Sequence, residues 1–91
     1  MKLQDKVVLV TGGGTGIGRA ISMLFAKEGA AVAVNYSKSE EEAADTASEV
    51  AKFGAKSLIV KANVSIDQEV CQMVSTVKQE FGHIDILVNN A

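Results

Sequence analysis

The sequence predicts an α/β fold built on a parallel sheet, and three observations carry that reading. An apolar run, Val7-Val-Leu-Val10, is bounded by Lys6 before it and glycine after it. Such a run reads as a strand buried on both faces, which favours parallel pairing. Three more short apolar runs follow, and the stretches between them carry apolar residues at helical spacing. The connections are short, and strands alternating with helices through short turns build a parallel sheet by right-handed crossovers.

Taken in order, residues 6–11 form the first strand and run into Thr11-Gly-Gly-Gly-Thr-Gly-Ile-Gly18. A helix over 17–28 follows, with Ile17, Ala20, Ile21, Leu24 and Phe25 as its expected apolar face and Gly29 as its stop. Residues 30–35 are the second strand. Ser39-Glu-Glu-Glu42 reads as a capping box that opens a second helix. The expected inner face of that helix is Ala43, Ala44, Ala47, Val50 and Ala51, and its stop is Gly54. Residues 56–61 are the third strand, and Ser65-Ile-Asp-Gln68 reads as a second capping box. Behind it Val70, Met73, Val74, Val77 and Phe81 make a helical stripe that ends at Gly82. Residues 84–88 are the fourth strand, and Asn89-Asn-Ala91 follows it. This β-α-β-α-β-α-β order predicts one domain over 1–91, a Rossmann-type doubly wound sheet of strand order 3-2-1-4 with helices on both faces. The crevice at its switch point lies above strands one and four, where residues 11–18 and 89–91 converge.

Composition removes several classes of function. A net charge of −2 does not suggest a nucleic-acid-binding surface. The apolar runs are too short for a membrane span or a signal-peptide core, so a cytoplasmic location is expected. Cys71 stands alone, which excludes an internal disulfide and fits a reducing compartment. Its neighbours Val70 and Met73 suggest a half-buried thiol rather than a nucleophile. One histidine and one cysteine cannot supply a metal cluster, so no metal is expected.

The glycine-rich stretch is a phosphate cradle by its chemistry. Glycines permit a sharp turn and let a ligand approach the backbone. The following helix aims free N–H groups and a positive dipole end at the turn. A strict G-x-G-x-x-G from Gly12 fails because Ile17 holds the last position. A P-loop fails because Arg19-Ala20 stands where Lys and Ser or Thr are needed. Gly14-Thr-Gly16-Ile-Gly18 matches the G-x-G-x-G of SAM-dependent methyltransferases, but Thr11, Gly12 and Gly13 stand where an acidic residue is expected. A glycine turn without a ligand is the weakest reading, because so many glycine costs close together call for a close backbone approach. The spacing that fits is T-G-x-x-x-G-x-G, from Thr11 to Gly18.

With that spacing, and with Asn89-Asn-Ala91 after the fourth strand, the chain resembles the short-chain dehydrogenase/reductase family. Asn89-Asn-Ala91 looks like the start of the family's N-N-A-G motif, and Gly82-His-Ile-Asp-Ile-Leu-Val88 looks like the usual approach to it. Ala62-Asn-Val64 resembles the family's D-V pair with Asn63 in place of the acid. In overall pattern the chain looks most like the branch of beta-ketoacyl carrier-protein reductase and glucose dehydrogenase. The resemblance implies an oxidoreductase that moves a hydride between a nicotinamide and a small carbonyl or alcohol substrate. It implies that Gly12, Thr15, Gly16, Ile17 and Gly18 line the pyrophosphate, that Asn63 and Val64 meet the adenine, and that Asn89 and Ala91 border the ribose and nicotinamide side. Asn90 is expected to tie strands together rather than to touch ligand. The family's catalytic Ser, Tyr and Lys lie beyond the N-N-A-G motif, so none is assigned in this chain. These 91 residues are therefore expected to be the N-terminal, cofactor-binding half of a longer reductase domain, homo-oligomeric when whole and inactive alone.

The end of the second strand bears on the choice of cofactor. Carboxylates there serve NAD by bonding the ribose hydroxyls. Here the residues are Asn35-Tyr-Ser-Lys38, with no acid before Glu40. Asn35, Tyr36, Ser37 and Lys38 are therefore expected to flank the adenosine end and to favour NADP, with NAD as the alternative. Tyr36 is not a catalytic tyrosine of Y-x-x-x-K type, because Glu40 stands where lysine is required. His83 is expected in a solvated turn at the far end of the sheet. A nucleotide-binding chain without catalysis is the alternative in a different class.

Overall fold

The computed structural model describes residues 2–90. Four strands and three helices alternate: β1 (Val7–Thr11), α1 (Gly16–Lys27), β2 (Ala31–Tyr36), α2 (Glu40–Lys52), β3 (Ser57–Lys61), α3 (Asp67–Phe81) and β4 (Ile86–Asn89). All strand pairs are parallel, in the order β3-β2-β1-β4, as the sequence predicts. β1 is central and buried along its whole length. Its side chains alternate between two layers. Val8 and Val10 join Val32, Val34, Ala26, Ala43 and Val50 under α1 and α2. Val7 and Leu9 join Ala33, Met73 and Val77 under α3.

The faces of two helices differ from expectation. In α1, Ile17 is 72% exposed and Leu24 62%, and Ala20 is exposed as well. The buried residues are Gly18, Ser22 and Ala26, with Ile21 and Phe25 half-buried beside them. Small residues four apart let the helix lie close to the sheet, and this closeness, not hydrophobicity, chooses the face. In α2, Ala44 and Ala51 are exposed, and Thr46 shares the buried face with Ala43 and Val50. The α3 stripe is as expected, with Met73 and Val77 at its centre. Cys71, however, is exposed rather than half-buried.

Neither capping box forms. Ser39 occupies the N-cap of α2 but makes no side-chain cap bond. At α3 the N-cap is Ile66, and Ser65 bonds instead to Asn63, through its hydroxyl at 2.7 Å and its N–H at 3.0 Å. Asn63 thus captures the serine in a local turn of its own. Glu69, not Gln68, reaches back, accepting from the Asn63 N–H at 2.8 Å.

The end of the sheet away from the glycines is closed by Asp85. Its Oδ2 accepts the Val7 N–H at 2.8 Å, while its own N–H donates to the Val7 carbonyl at 2.9 Å. His83 Nε2 lies 2.9 Å from the same carboxylate and 3.2 Å from the Asp5 carbonyl. The histidine is exposed and sits at this far end, as expected. β4 pairs with β1 only, and its Leu87 is 61% exposed beside an apolar groove of about 530 Å³ along α3. Among the described residues no helix is long and apolar enough to cross a membrane.

Replacing Asp85 by Ala leaves the Val7 N–H at the buried start of β1 without its side-chain acceptor. The expected loss is about 1–3 kcal/mol of folding stability. Asp85→Asn, which keeps an acceptor oxygen, is expected to lose less than half of that. Urea-denaturation midpoints of the two variants check this.

Candidate functional site

The site forms where β1, β2 and β4 end side by side. The turn after β1 is held in shape by its own backbone polar groups, which are tied to β2, α1, α2 and the segment after β4. Gly12 donates its N–H to Asn35 Oδ1 at 3.2 Å, and the Gly12 carbonyl accepts from Asn90 Nδ2 at 3.2 Å. The Gly13 N–H donates to the Asn35 carbonyl at 3.1 Å. The Gly14 carbonyl accepts from Thr46 Oγ1 at 2.9 Å, and the Gly18 carbonyl from Ser22 Oγ at 2.8 Å. Thr11 Oγ1 accepts the Asn90 N–H at 2.9 Å and lies 3.2 Å from Asn89 Oδ1, which joins the end of β1 to the end of β4.

Two of the glycines are required by geometry. A Cβ on Gly18 would lie 2.0 Å from the Gly12 carbonyl oxygen, so α1 crosses the turn as closely as a backbone can. Gly16 has φ +54, and no atom lies within 4 Å of the position its Cβ would take. That space is open on the outer side of the turn.

The electrostatics of the three helix starts differ. α2 begins with Glu40, Glu41 and Glu42, and α3 has Asp67 and Glu69 in its first turn. α1 has no acidic residue in its first turn, and its N-cap Thr15 makes no side-chain cap bond. Its positive end is therefore left uncompensated toward the turn. A cleft of about 260 Å³ opens there, lined by Gly12, Gly14, Thr15, Tyr36, Ser37, Lys38 and Ser39. Among the described residues Lys38 makes no ion pair. The Tyr36 phenol is held above its ordinary pKa, first by partial desolvation and then by the neighbouring Glu40 carboxylate. It stays a neutral hydrogen-bonding group.

The structure thus brings together Gly12, Thr15, Tyr36, Ser37 and Lys38, with Gly16, Ile17 and Gly18 opening the helix beside them. It turns two of the expected contacts, Asn35 and Val64, elsewhere. Asn35 is 2% exposed and is spent inside the protein: besides Gly12, it donates Nδ2 to the carbonyls of Val60 at 3.3 Å and Ala62 at 3.2 Å. Its side chain shapes the turn and does not face a ligand. Val64 packs on the α3 side of the sheet, so its side chain lies away from the cleft. Asn63 is exposed, with its Oδ1 occupied by Ser65, so its NH₂ is the side-chain group it can offer. Asn89 ends β4 beside Thr11, and Ala91 lies outside the described residues. Thr46 and Ser22 were not foreseen. A single polar residue recurring within an otherwise small and apolar helix face is the sign that points to them.

The model of the short chain dehydrogenase family matches residues 6–91. The chain belongs to this family. A short-chain dehydrogenase/reductase homolog of Bacillus subtilis (strain 168), YusS, is 48% identical over 91 residues, all of this chain and 84% of that one. Two solved structures superpose over the entire chain. One is a short chain dehydrogenase from Burkholderia cenocepacia J2315 in complex with NADP, 41% identical with a TM-score of 0.96; the chain covers 37% of it. The other is an NAD⁺-bound xylitol dehydrogenase, 34% identical with a TM-score of 0.95, of which the chain covers 35%. The chain therefore spans about a third of these dehydrogenases, and the part it spans contains the site above.

The Gly18 contact makes a sharp expectation. Gly18→Ala forces a Cβ against backbone and is expected to cost about 3 kcal/mol or more, since neither chain can give way as a side chain would. Gly16→Ala meets only the left-handed penalty, about 1–2 kcal/mol. Thermal melts of both variants, compared with the parent protein, check the order.

Proposed function

We propose that this chain is the cofactor-binding half of an NADP-dependent short-chain dehydrogenase/reductase, with residues 1–91 as one dinucleotide-binding unit. The observation that carries the reading is the cleft in which the uncompensated start of α1 faces Ser37 and Lys38, with no carboxylate on its lining. The residues fit a dinucleotide. The space outside Gly16 admits phosphate oxygens to backbone N–H groups, and the α1 dipole favours their charge. Gly12, Thr15, Gly16, Ile17 and Gly18 would hold the pyrophosphate, and Tyr36, Ser37 and Lys38 the adenosine end. The NADP complex of the Burkholderia relative supports this, and the NAD⁺ complex of xylitol dehydrogenase keeps NAD as the alternative.

When bound, the nicotinamide supplies a hydride donor or acceptor for a small carbonyl or alcohol. The residues of this chain bind and orient it. The bare helix end draws the pyrophosphate, and the ammonium of Lys38 with the hydroxyl of Ser37 offers donors to a 2′-phosphate. A carboxylate in that place would repel the same group. A cytoplasmic location and a homo-oligomeric, tetrameric whole protein complete the reading.

Fluorescence titration of the purified protein with NADPH and with NADH tests it. NADPH is expected to bind more tightly. Lys38→Ala is expected to weaken NADPH about five- to tenfold, the scale of one exposed charge-assisted contact, and to leave NADH within about twofold. Tighter binding of NADH by the parent protein overturns the preference. A native protein whose intact mass is no larger than this chain's, binding cofactor without reducing any simple ketone, identifies the non-catalytic alternative.

A further inference from the structure

Thr46 lies in the middle of α2, remote in sequence from the glycine turn, and is fully buried. Its hydroxyl donates to the Gly14 carbonyl at 2.9 Å. The same helix presses its backbone on the turn at this point. A Cβ built on Gly14 would lie 3.0 Å from the Ala43 nitrogen and 3.1 Å from its Cα. Gly14 and Thr15 also line the cleft that Ser37, Lys38 and Ser39 close from the other side, just before α2 begins. One rigid helix is therefore joined to the cleft twice, through the segment that leads into it and through the bond from Thr46 to Gly14 behind the lining.

The peptide unit is planar and trans, so its carbonyl and the next N–H point in opposite directions. A bond that holds the Gly14 carbonyl toward α2 aims the Thr15 N–H away from α2. That group is among those at the start of α1 that lack a partner within the helix. We propose that Thr46 is a positioning residue for dinucleotide binding. By fixing the plane of the Gly14–Thr15 peptide it presets a donor for the pyrophosphate and locks the turn to the helix that carries the adenosine-end wall. This rests on the reading of the cleft as a nicotinamide-dinucleotide site. A valine at position 46 has nearly the same shape but leaves a buried carbonyl without its donor, whereas a serine keeps the donor and loses only a methyl.

The test compares the parent protein with Thr46→Val, Thr46→Ser and Val50→Ala, the last a destabilising control on the same buried face of α2. Three quantities are read: the dissociation constant for NADPH, the melting temperature, and the hydrogen-exchange rate of the Gly13 amide, which is buried in the turn and bonded to the Asn35 carbonyl. Thr46→Val is expected to weaken NADPH binding about tenfold and to speed Gly13 exchange by a similar factor. Thr46→Ser is expected to bind within about twofold of the parent, and Val50→Ala to melt lower while binding equally well. Thr46→Val with parental affinity and exchange overturns the proposal, as does Val50→Ala losing as much affinity as Thr46→Val. Should Thr46→Val not fold, Thr46→Ser decides: affinity kept supports the hydroxyl's role, and affinity lost overturns it. A parent protein that binds no nicotinamide dinucleotide sinks the functional reading instead, while Gly13 exchange still reports whether Thr46 holds the turn.

Discussion

The structure depends on how the Gly12 peptide groups are held. Three elements meet there: β2 through Asn35, the segment after β4 through Asn90, and α1 through the close approach of Gly18. The chemistry of Asn35 suits that junction. Its amide oxygen accepts from Gly12 while its NH₂ donates to the carbonyls of Val60 and Ala62, so one neutral side chain links the turn to the end of β3. An aspartate could accept the same N–H but could not donate to those carbonyls. It would also set a negative charge beside the place where an anion is drawn. A neutral two-way group leaves the potential at the start of α1 positive.

The same economy governs the helix starts. Acidic residues at α2 and α3 stabilise those helices by compensating their dipoles, whereas α1 forgoes that stabilisation. A helix end without acid or side-chain cap, at the mouth of a cleft, is more stable with an anion present than without one. The closely fitted part of the turn therefore carries no charge of its own, and Lys38 is the charged residue on the cleft's lining, with the Glu40 carboxylate beside Tyr36 at its edge.

Much of this was legible in the sequence. Strand order and layer structure follow from local facts, namely apolar runs punctuated by glycine and helical spacing between them, and each was read as it stands. The faces of α1 and α2 were not, because Gly18, Ser22 and Ala26 carry no hydrophobic periodicity. Their burial comes from close approach to the sheet, which is a tertiary fact. Ile17 and Leu24 look like core residues and face outward. The two capping boxes failed for a competitive reason at α3, where Asn63 offered Ser65 a nearer acceptor than the helix required. Asn35 was read as a ligand contact because it is polar and stands at a strand end. That it lies 2% exposed within an otherwise apolar strand points to the other meaning, since a buried amide must spend its bonds inside the protein.

The two ends of the cleft are built to different standards. On the glycine side Gly13, Gly14, Gly18, Ser22, Asn35 and Thr46 are all buried, Asn35 and Thr46 bond the turn from other elements, and Ser22 bonds Gly18 within α1, so a substitution there disturbs several contacts at once. On the far side Ser37, Lys38 and Ser39 are exposed and precede α2 without entering the core. Residues of that kind exchange at little cost to the fold. Positions 37 and 38 can therefore change with little disturbance of the fold, whereas the shape of the glycine turn rests on Asn35 and Thr46, buried residues from outside it.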